Sequence, residues 1–155
     1  MRINRMASVP LLVHDPYYSI WSPADCLYDT DTAHWSGKEK RLYGHVTADG
    51  ERFRFLGGED GCPVIPQTSL EVTPTATTCT FENEKLRLSV RFLSPLLPED
   101  PVLVSRPCTY IDFTVDRKRE VSVKIDFTVT GDLVFDTPGK IIGGSHENET
   151  YHFHY

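Results

Sequence analysis

Two histidines, His152 and His154, stand two apart near the end of a chain of 155 residues. On a strand, residues i and i+2 point to the same face, so both imidazoles could share a metal ion. His146, Glu147 and Glu149 could complete the set, but two ligands do not make a site, and polar decoration of an exposed strand is the ordinary reading. Asp25, Asp29 and Asp31 crowd a loop with Cys26 and Thr30, and clustered carboxylates on a loop can hold calcium. The EF-hand spacing is absent, and Asp is an ordinary turn former through side-chain to backbone hydrogen bonds. Neither cluster therefore earns a metal assignment, and no cofactor is expected. Ser, His and Asp are scattered without a nucleophile elbow, so no catalytic residue is named.

The first third of the chain is rich in aromatic residues: Trp21, Trp35, Tyr17, Tyr18, Tyr28 and Tyr43. Large aromatics dominate the buried area of cores and interfaces, so packing, within the chain or onto another domain, is the leading expectation. Exposed aromatic faces beside carboxylates also grip sugar rings, and His34 and Asp25 would be the polar members of such a site. Trp21, Asp25, His34, Trp35 and Tyr43 are accordingly the expected ligand or domain-interface set. Cys26, Cys62, Cys79 and Cys108 are widely spaced with no CxxC pair, which makes free thiols the default.

The elements that must position these groups read as strands. Eleven prolines and ten glycines imply frequent chain reversals, which suit many short strands better than long helices. Asp49-Gly50 is a type I′ turn signal in the middle of a hairpin over 43–56. A two-residue loop sets Ala48 against Glu51, Val46 against Phe53 and Gly44 against Phe55, with His45 against Arg54 and Thr47 against Arg52 on a mostly wet face. Leu86, Leu88, Val90 and Phe92 alternate with charged and polar residues, as do Ile111, Phe113 and Val115, and then Val121, Val123, Ile125, Phe127 and Val129. The last two runs, separated by Arg117-Lys118-Arg119, are expected to form an antiparallel hairpin with a solvated turn. Shorter strands are expected at 17–21, 69–73, 77–81 and 141–142. No window shows a sustained apolar stripe at helical spacing.

Eight to ten short antiparallel strands with one-sided burial imply two sheets packed face to face, an all-β sandwich. Residues 1–155 are expected to form one sandwich domain, with a soft junction at 57–66, where two adjacent glycines, Gly61 and two prolines interrupt the pattern. The segment 150–155 alternates like a strand and stops without a turn or cap, as a cut inside a larger protein would leave it.

The formal charge of −6 argues against a nucleic-acid backbone or an anionic membrane as partner, since both need a field of the opposite sign. No apolar run approaches the roughly 20 residues required to cross a bilayer. The start Met1-Arg-Ile-Asn-Arg-Met lacks the apolar stretch of a signal peptide, so a cytoplasmic location is expected, or a secreted one if a leader was removed.

Several segments also carry a family likeness. In order they are Asp15-Pro-Tyr-Tyr-Ser-Ile-Trp-Ser22, Ala24-Asp25, His34-Trp35-Ser36-Gly37, Leu42-Tyr43-Gly44, the 53–57 stretch, and Ser94-Pro-Leu-Leu-Pro-Glu-Asp100 continued by Leu103-Val-Ser-Arg-Pro-Cys-Thr-Tyr-Ile111. Together they resemble the opening region of glutaminase-A-like proteins, large multidomain amidohydrolases. The resemblance implies that the intact protein continues beyond Tyr155 into an α/α-barrel domain, and that hydrolysis of L-glutamine to L-glutamate and ammonia belongs to that assembly. This chain would be the non-catalytic N-terminal β-sandwich, and its partner the C-terminal catalytic domain of the same protein, packed against it so that the sandwich shapes one rim of the cleft. The face left bare in its absence could pair two copies as a homo-oligomer. A sandwich ahead of a helical barrel is also similar to several glycoside hydrolases, which makes a carbohydrate-binding or accessory domain the alternative.

Overall fold

The structure, a computed structural model, describes residues 6–134 together with the backbone of 145–147 and 152–154. In chain order the strands are β1 (Val9–Val13), β2 (Ser19–Ser22), β3 (Ala33–His34), β4 (Leu42–Ala48), β5 (Glu51–Leu56), β6 (Gln67–Val72), β7 (Ala76–Glu82), β8 (Leu86–Leu93), β9 (Tyr110–Arg117), β10 (Val123–Val129), β11 (Ser145–Glu147) and β12 (His152–His154). A single helical turn, α1 (Pro101–Val104), stands between β8 and β9, and a 3₁₀ turn follows β10 at Gly131–Leu133.

The expected antiparallel sandwich is borne out. One layer is the four-stranded sheet β6-β7-β8-β9, and the other is split into two three-stranded sheets, β10-β4-β5 and β1-β2-β3. Phe55 of β5 meets Phe81 of β7 and Phe113 of β9 across the core, with ring centroids 5.6 and 6.2 Å apart. The sheet β1-β2-β3 is tied to the same layer where the Thr77 hydroxyl donates to the Pro10 carbonyl at 2.6 Å. Strand β8 shows how sequence makes such a sheet: Leu86, Leu88, Val90 and Phe92 are buried while Arg87 and Arg91 are exposed, the period-two outcome of a strand with one wet face. Burying each of these apolar side chains contributes about 1.5–3 kcal/mol.

The β4–β5 hairpin has the expected register from Ala48↔Glu51 to His45↔Arg54. Asp49 and Gly50 both take positive φ, 52° and 83°, as a type I′ turn requires. The pairing then shifts, and Gly44 faces Leu56 rather than Phe55. The reason is the Phe55 ring, which lies across Gly44; a Cβ there would stand 2.2 Å from it. A bulge turns Phe55 into the core while leaving Leu56 to close the ladder.

The other hairpin face is wet only near the turn, where Arg52 is exposed and Thr47 half-buried. His45 and Arg54 are each only 5% exposed, because the chain beyond β5 folds back over them. Arg54 N–H donates to the Pro63 carbonyl at 2.8 Å, the Ile65 N–H donates to the Arg54 carbonyl at 3.0 Å, and Arg54 and Val64 form a parallel bridge. Residues 57–65 thus lie along β5, and Ile65 joins the core.

Strands β9 and β10 do not form the expected hairpin. β9 pairs with β8, whereas β10 pairs with β4 in the opposite layer. The connection crosses the sandwich and is pinned to the β4–β5 turn: Asp49 N–H donates to the Ser122 carbonyl and Ser122 N–H to the Asp49 carboxylate, both at 3.0 Å. Val121 is buried at the crossing. Phe113 and Phe127 consequently face each other through the core, with ring centroids 5.9 Å apart, instead of lying side by side on one sheet. Arg117, Lys118 and Arg119 are exposed, as expected of a charge run.

Strand β2 begins two residues later than expected because Asp15 arrests the chain before it. Its carboxylate accepts from the N–H groups of Tyr17 and Tyr18 at 2.7 and 2.8 Å, forming an Asx-type turn. Strands β1, β3 and β11 are additions to the expected set. The expected strand at 141–142 lies outside the described residues, and of the 150–155 segment the part His152–His154 is β12, paired with β11. Among the described residues, no helix is long and apolar enough to cross a membrane.

Candidate functional site

The Asx turn at Asp15 leaves the Pro16 carbonyl pointing at the β3 turn, and this one acceptor gathers two of the expected residues. Trp35 Nε1 donates to it at 2.6 Å and His34 Nε2 lies 3.0 Å away. A carbonyl can only accept, so Nε2 donates to it, while Nδ1 lies 2.7 Å from Ser36 Oγ and 3.2 Å from the Ser36 backbone nitrogen. The His34 ring is thus held at both nitrogens. Gly37, at φ 84°, closes the turn by donating to the His34 carbonyl. The N–H groups of Asp15's turn hold that carboxyl below the usual carboxylate range.

With the His34 and Trp35 ring nitrogens satisfied inward, this edge presents aromatic surface outward. Trp35 is 65% exposed and Tyr17 is 93% exposed. The His34 and Trp35 rings stand 5.3 Å apart, centroid to centroid, and are tilted at 43°.

The remaining expected residues lie elsewhere. Trp21 donates its indole N–H to Ser19 Oγ at 2.7 Å and forms part of the wall of a cleft of about 230 Å³, with Leu11, Pro74, Phe92 and Leu96. Tyr43 packs beside Gly57, and burial first, then the neighbouring Asp31 carboxylate, push its phenol upward. Asp25 is exposed, and its carbonyl accepts from Gln67 Nε2 at 3.4 Å. The structure thus brings His34 and Trp35 together on the Pro16 carbonyl and sets Trp21 one strand away, opposite Ala33, with its side chain on a separate cleft; Asp25 and Tyr43 lie beside Gln67 and Gly57 instead.

The acidic loop has a turn-forming role. Asp29 accepts from the Cys26 N–H at 3.0 Å, and Asp31 accepts from the Gly58 N–H at 2.8 Å. All four cysteines are free. Cys79 is in the core, and burial pushes its thiol up to about 12. His152 and His154 sit on β12; their side chains lie outside the described residues.

A cluster with no signature in the expected site set occupies the covered face of the hairpin. His45 Nε2 meets Asp60 Oδ2 at 2.6 Å, and Asp60 Oδ1 accepts from the Cys62 N–H at 2.9 Å with Arg54 Nε 3.5 Å away. Burial opposes ionisation of Asp60, but the Cys62 N–H, His45 and Arg54 together hold its carboxyl below the usual range. The available signal was the His45–Arg54 cross-strand pair followed by a glycine-rich return.

These features describe an all-β sandwich with an apolar edge and no assembled catalytic constellation among the described residues. The chain belongs to the family described as "Domain of unknown function (DUF5127)", which matches residues 75–155, and residues 3–65 match a second family, "Domain of unknown function (DUF4964)". Among curated proteins it is similar to one named glutaminase A from Aspergillus oryzae, with 28% identity over 120 residues, covering 72% of this chain and 17% of the relative. It is also similar to a protein named probable glutaminase from Arthroderma benhamiae, 24% identical over 147 residues, covering 80% of this chain and again 17% of the relative. The resemblance to glutaminase-A-like proteins read from the motifs is borne out, and the chain spans about a sixth of the length of these relatives. No solved structure matches it significantly.

Proposed function

We propose that this chain is the non-catalytic N-terminal β-sandwich of a glutaminase-like amidohydrolase, packing against the catalytic domain and shaping one rim of its cleft. The observation that carries this reading is the outward-facing Tyr17–Trp35 edge, built by an inward hydrogen-bond network, on a chain that spans only 17% of its glutaminase-named relatives. An apolar edge held rigid before any partner arrives loses little entropy on docking. Hydrolysis of L-glutamine to L-glutamate and ammonia then belongs to the whole assembly, with its nucleophile, base and oxyanion donors outside this chain.

The test is an assay of ammonia release from L-glutamine by the chain alone and by a longer product that contains it. The reading predicts turnover only in the longer product. Turnover by the chain alone would refute it, and binding of the chain alone to glycans, lost in Trp35→Ala, would favour a carbohydrate-binding domain instead.

A further inference from the structure

We propose that His45, Asp60 and Cys62 form a binding site for a zinc-like divalent transition-metal ion. One nitrogen of His45, one oxygen of Asp60 and the sulfur of Cys62 all lie within 4.8 Å of one another. Imidazole, carboxylate and thiolate together suit zinc and its neighbours in the first transition row and not the oxygen-seeking calcium or magnesium. Three protein ligands leave a fourth position for water, the open form of zinc coordination.

The fold prepares each ligand differently. His45 is on the central strand of its sheet with its side chain only 6% exposed, so its ring is fixed. Asp60 and Cys62 arrive on the return loop, whose Gly57 and Gly61 take φ of 96° and 82°. Tetrahedral ligation places donor atoms roughly 3.5 Å apart, so the loop must close on the ion while the 2.6 Å His45–Asp60 contact opens. The two Asp60 carboxylate oxygens divide the contacts between them. Oδ2 faces His45 and the ion, while Oδ1 stays with the Cys62 N–H and Arg54. Arg54 Nε is buried without a hydrogen-bond partner, and a carboxylate drawn into a fixed ligating geometry is the outer-shell acceptor it lacks. On binding, the proton between His45 Nε2 and Asp60 moves to Nδ1, which is buried and has no hydrogen-bond partner among the described residues, and the Cys62 thiol proton goes to solvent.

The site is independent of the docking edge, so it can fail without affecting that reading. The test is titration of the reduced 155-residue chain with Zn²⁺ by calorimetry and with Co²⁺ by absorption. The expected result is one equivalent bound, with a thiolate-to-cobalt charge-transfer band in the near ultraviolet. Cys62→Ser should abolish the band, and Asp60→Asn, isosteric and a third exposed, should weaken Zn²⁺ by more than the roughly 10–100-fold that loss of an outer-shell partner costs. Circular dichroism of both variants must match the parent. Absence of stoichiometric uptake would overturn the proposal, as would a band that survives in Cys62→Ser and so arises from Cys26 or Cys108.

Discussion

The Trp35 edge and the His45–Arg54 face invert the usual distribution of side chains in opposite directions. At the first, a tryptophan is 65% exposed; at the second, a guanidinium and an imidazole are each only 5% exposed. The inversions have different remedies. The buried Arg54 charge on β5 and the His45 imidazole on β4 are covered from within, by residues 57–65 folding back and supplying the Asp60 carboxylate to both and the Gly57 carbonyl to Arg54. The aromatic edge is satisfied only in its polar atoms, through the Pro16 carbonyl, and its hydrocarbon surface has no cover within the described chain. A buried charge must be paired inside the fold that buries it, whereas an exposed ring costs little and can wait for a partner.

That contrast can be broken by paired truncations. Arg54→Ala removes the Nη1 bond to the Gly57 carbonyl and the cation beside Asp60, and should cost about 2–4 kcal/mol of stability in urea unfolding. An unchanged midpoint would mean that the return loop does not depend on the charges beneath it.

A smaller effect is expected at the 3₁₀ turn after β10, where Arg41 Nε bonds to Asp132. The Arg41 guanidinium, against some opposing burial and with help from the Thr130 hydroxyl, holds the Asp132 carboxyl below its usual range. A carboxyl depressed in the folded state adds stability above its unfolded value, roughly 3.9, and that stability is lost as pH falls through the folded value. Acid unfolding monitored between pH 5 and 2, as rough limits, should therefore be shallower in Asp132→Asn than in the parent.

The smallest change belongs to the exposed edge. Trp35→Ala should alter the stability of the chain alone by no more than about 0.5 kcal/mol. The same substitution should weaken the association with the remainder of the protein by about 2 kcal/mol if Trp35 is a docking anchor. Equal effects in both settings would erase the distinction between the two regions.

Much of the fold was legible because alternation and turn chemistry are local. Asp49-Gly50 set four of the five hairpin pairs, and β8 followed from its period of two. The fifth pair was hidden because the bulge depends on the Phe55 ring lying over Gly44, a contact set by the opposite sheet. Alternation likewise announces that β9 and β10 are strands without naming their neighbours. Proximity in sequence favoured a hairpin, but the Asp49–Ser122 bonds and buried Val121 carry the chain to the other layer. At the site, the motif His34-Trp35-Ser36-Gly37 was visible as a unit and is one in space. The His45, Asp60 and Cys62 cluster was missed because a loop, not a strand period, assembles it: the His45–Arg54 pair and the glycines after β5 marked the place without showing which side chains would return there.

What covers the aromatic edge decides whether it is a docking surface, and amide hydrogen exchange can read it. Residues 15–21 and 33–38 should exchange more slowly in a longer product carrying the rest of the protein than in this chain alone, while β7 and β8, the central strands of their sheet, should be unchanged. Equal exchange at the edge in both products, with ammonia release present in the longer one, would contradict docking at Trp35.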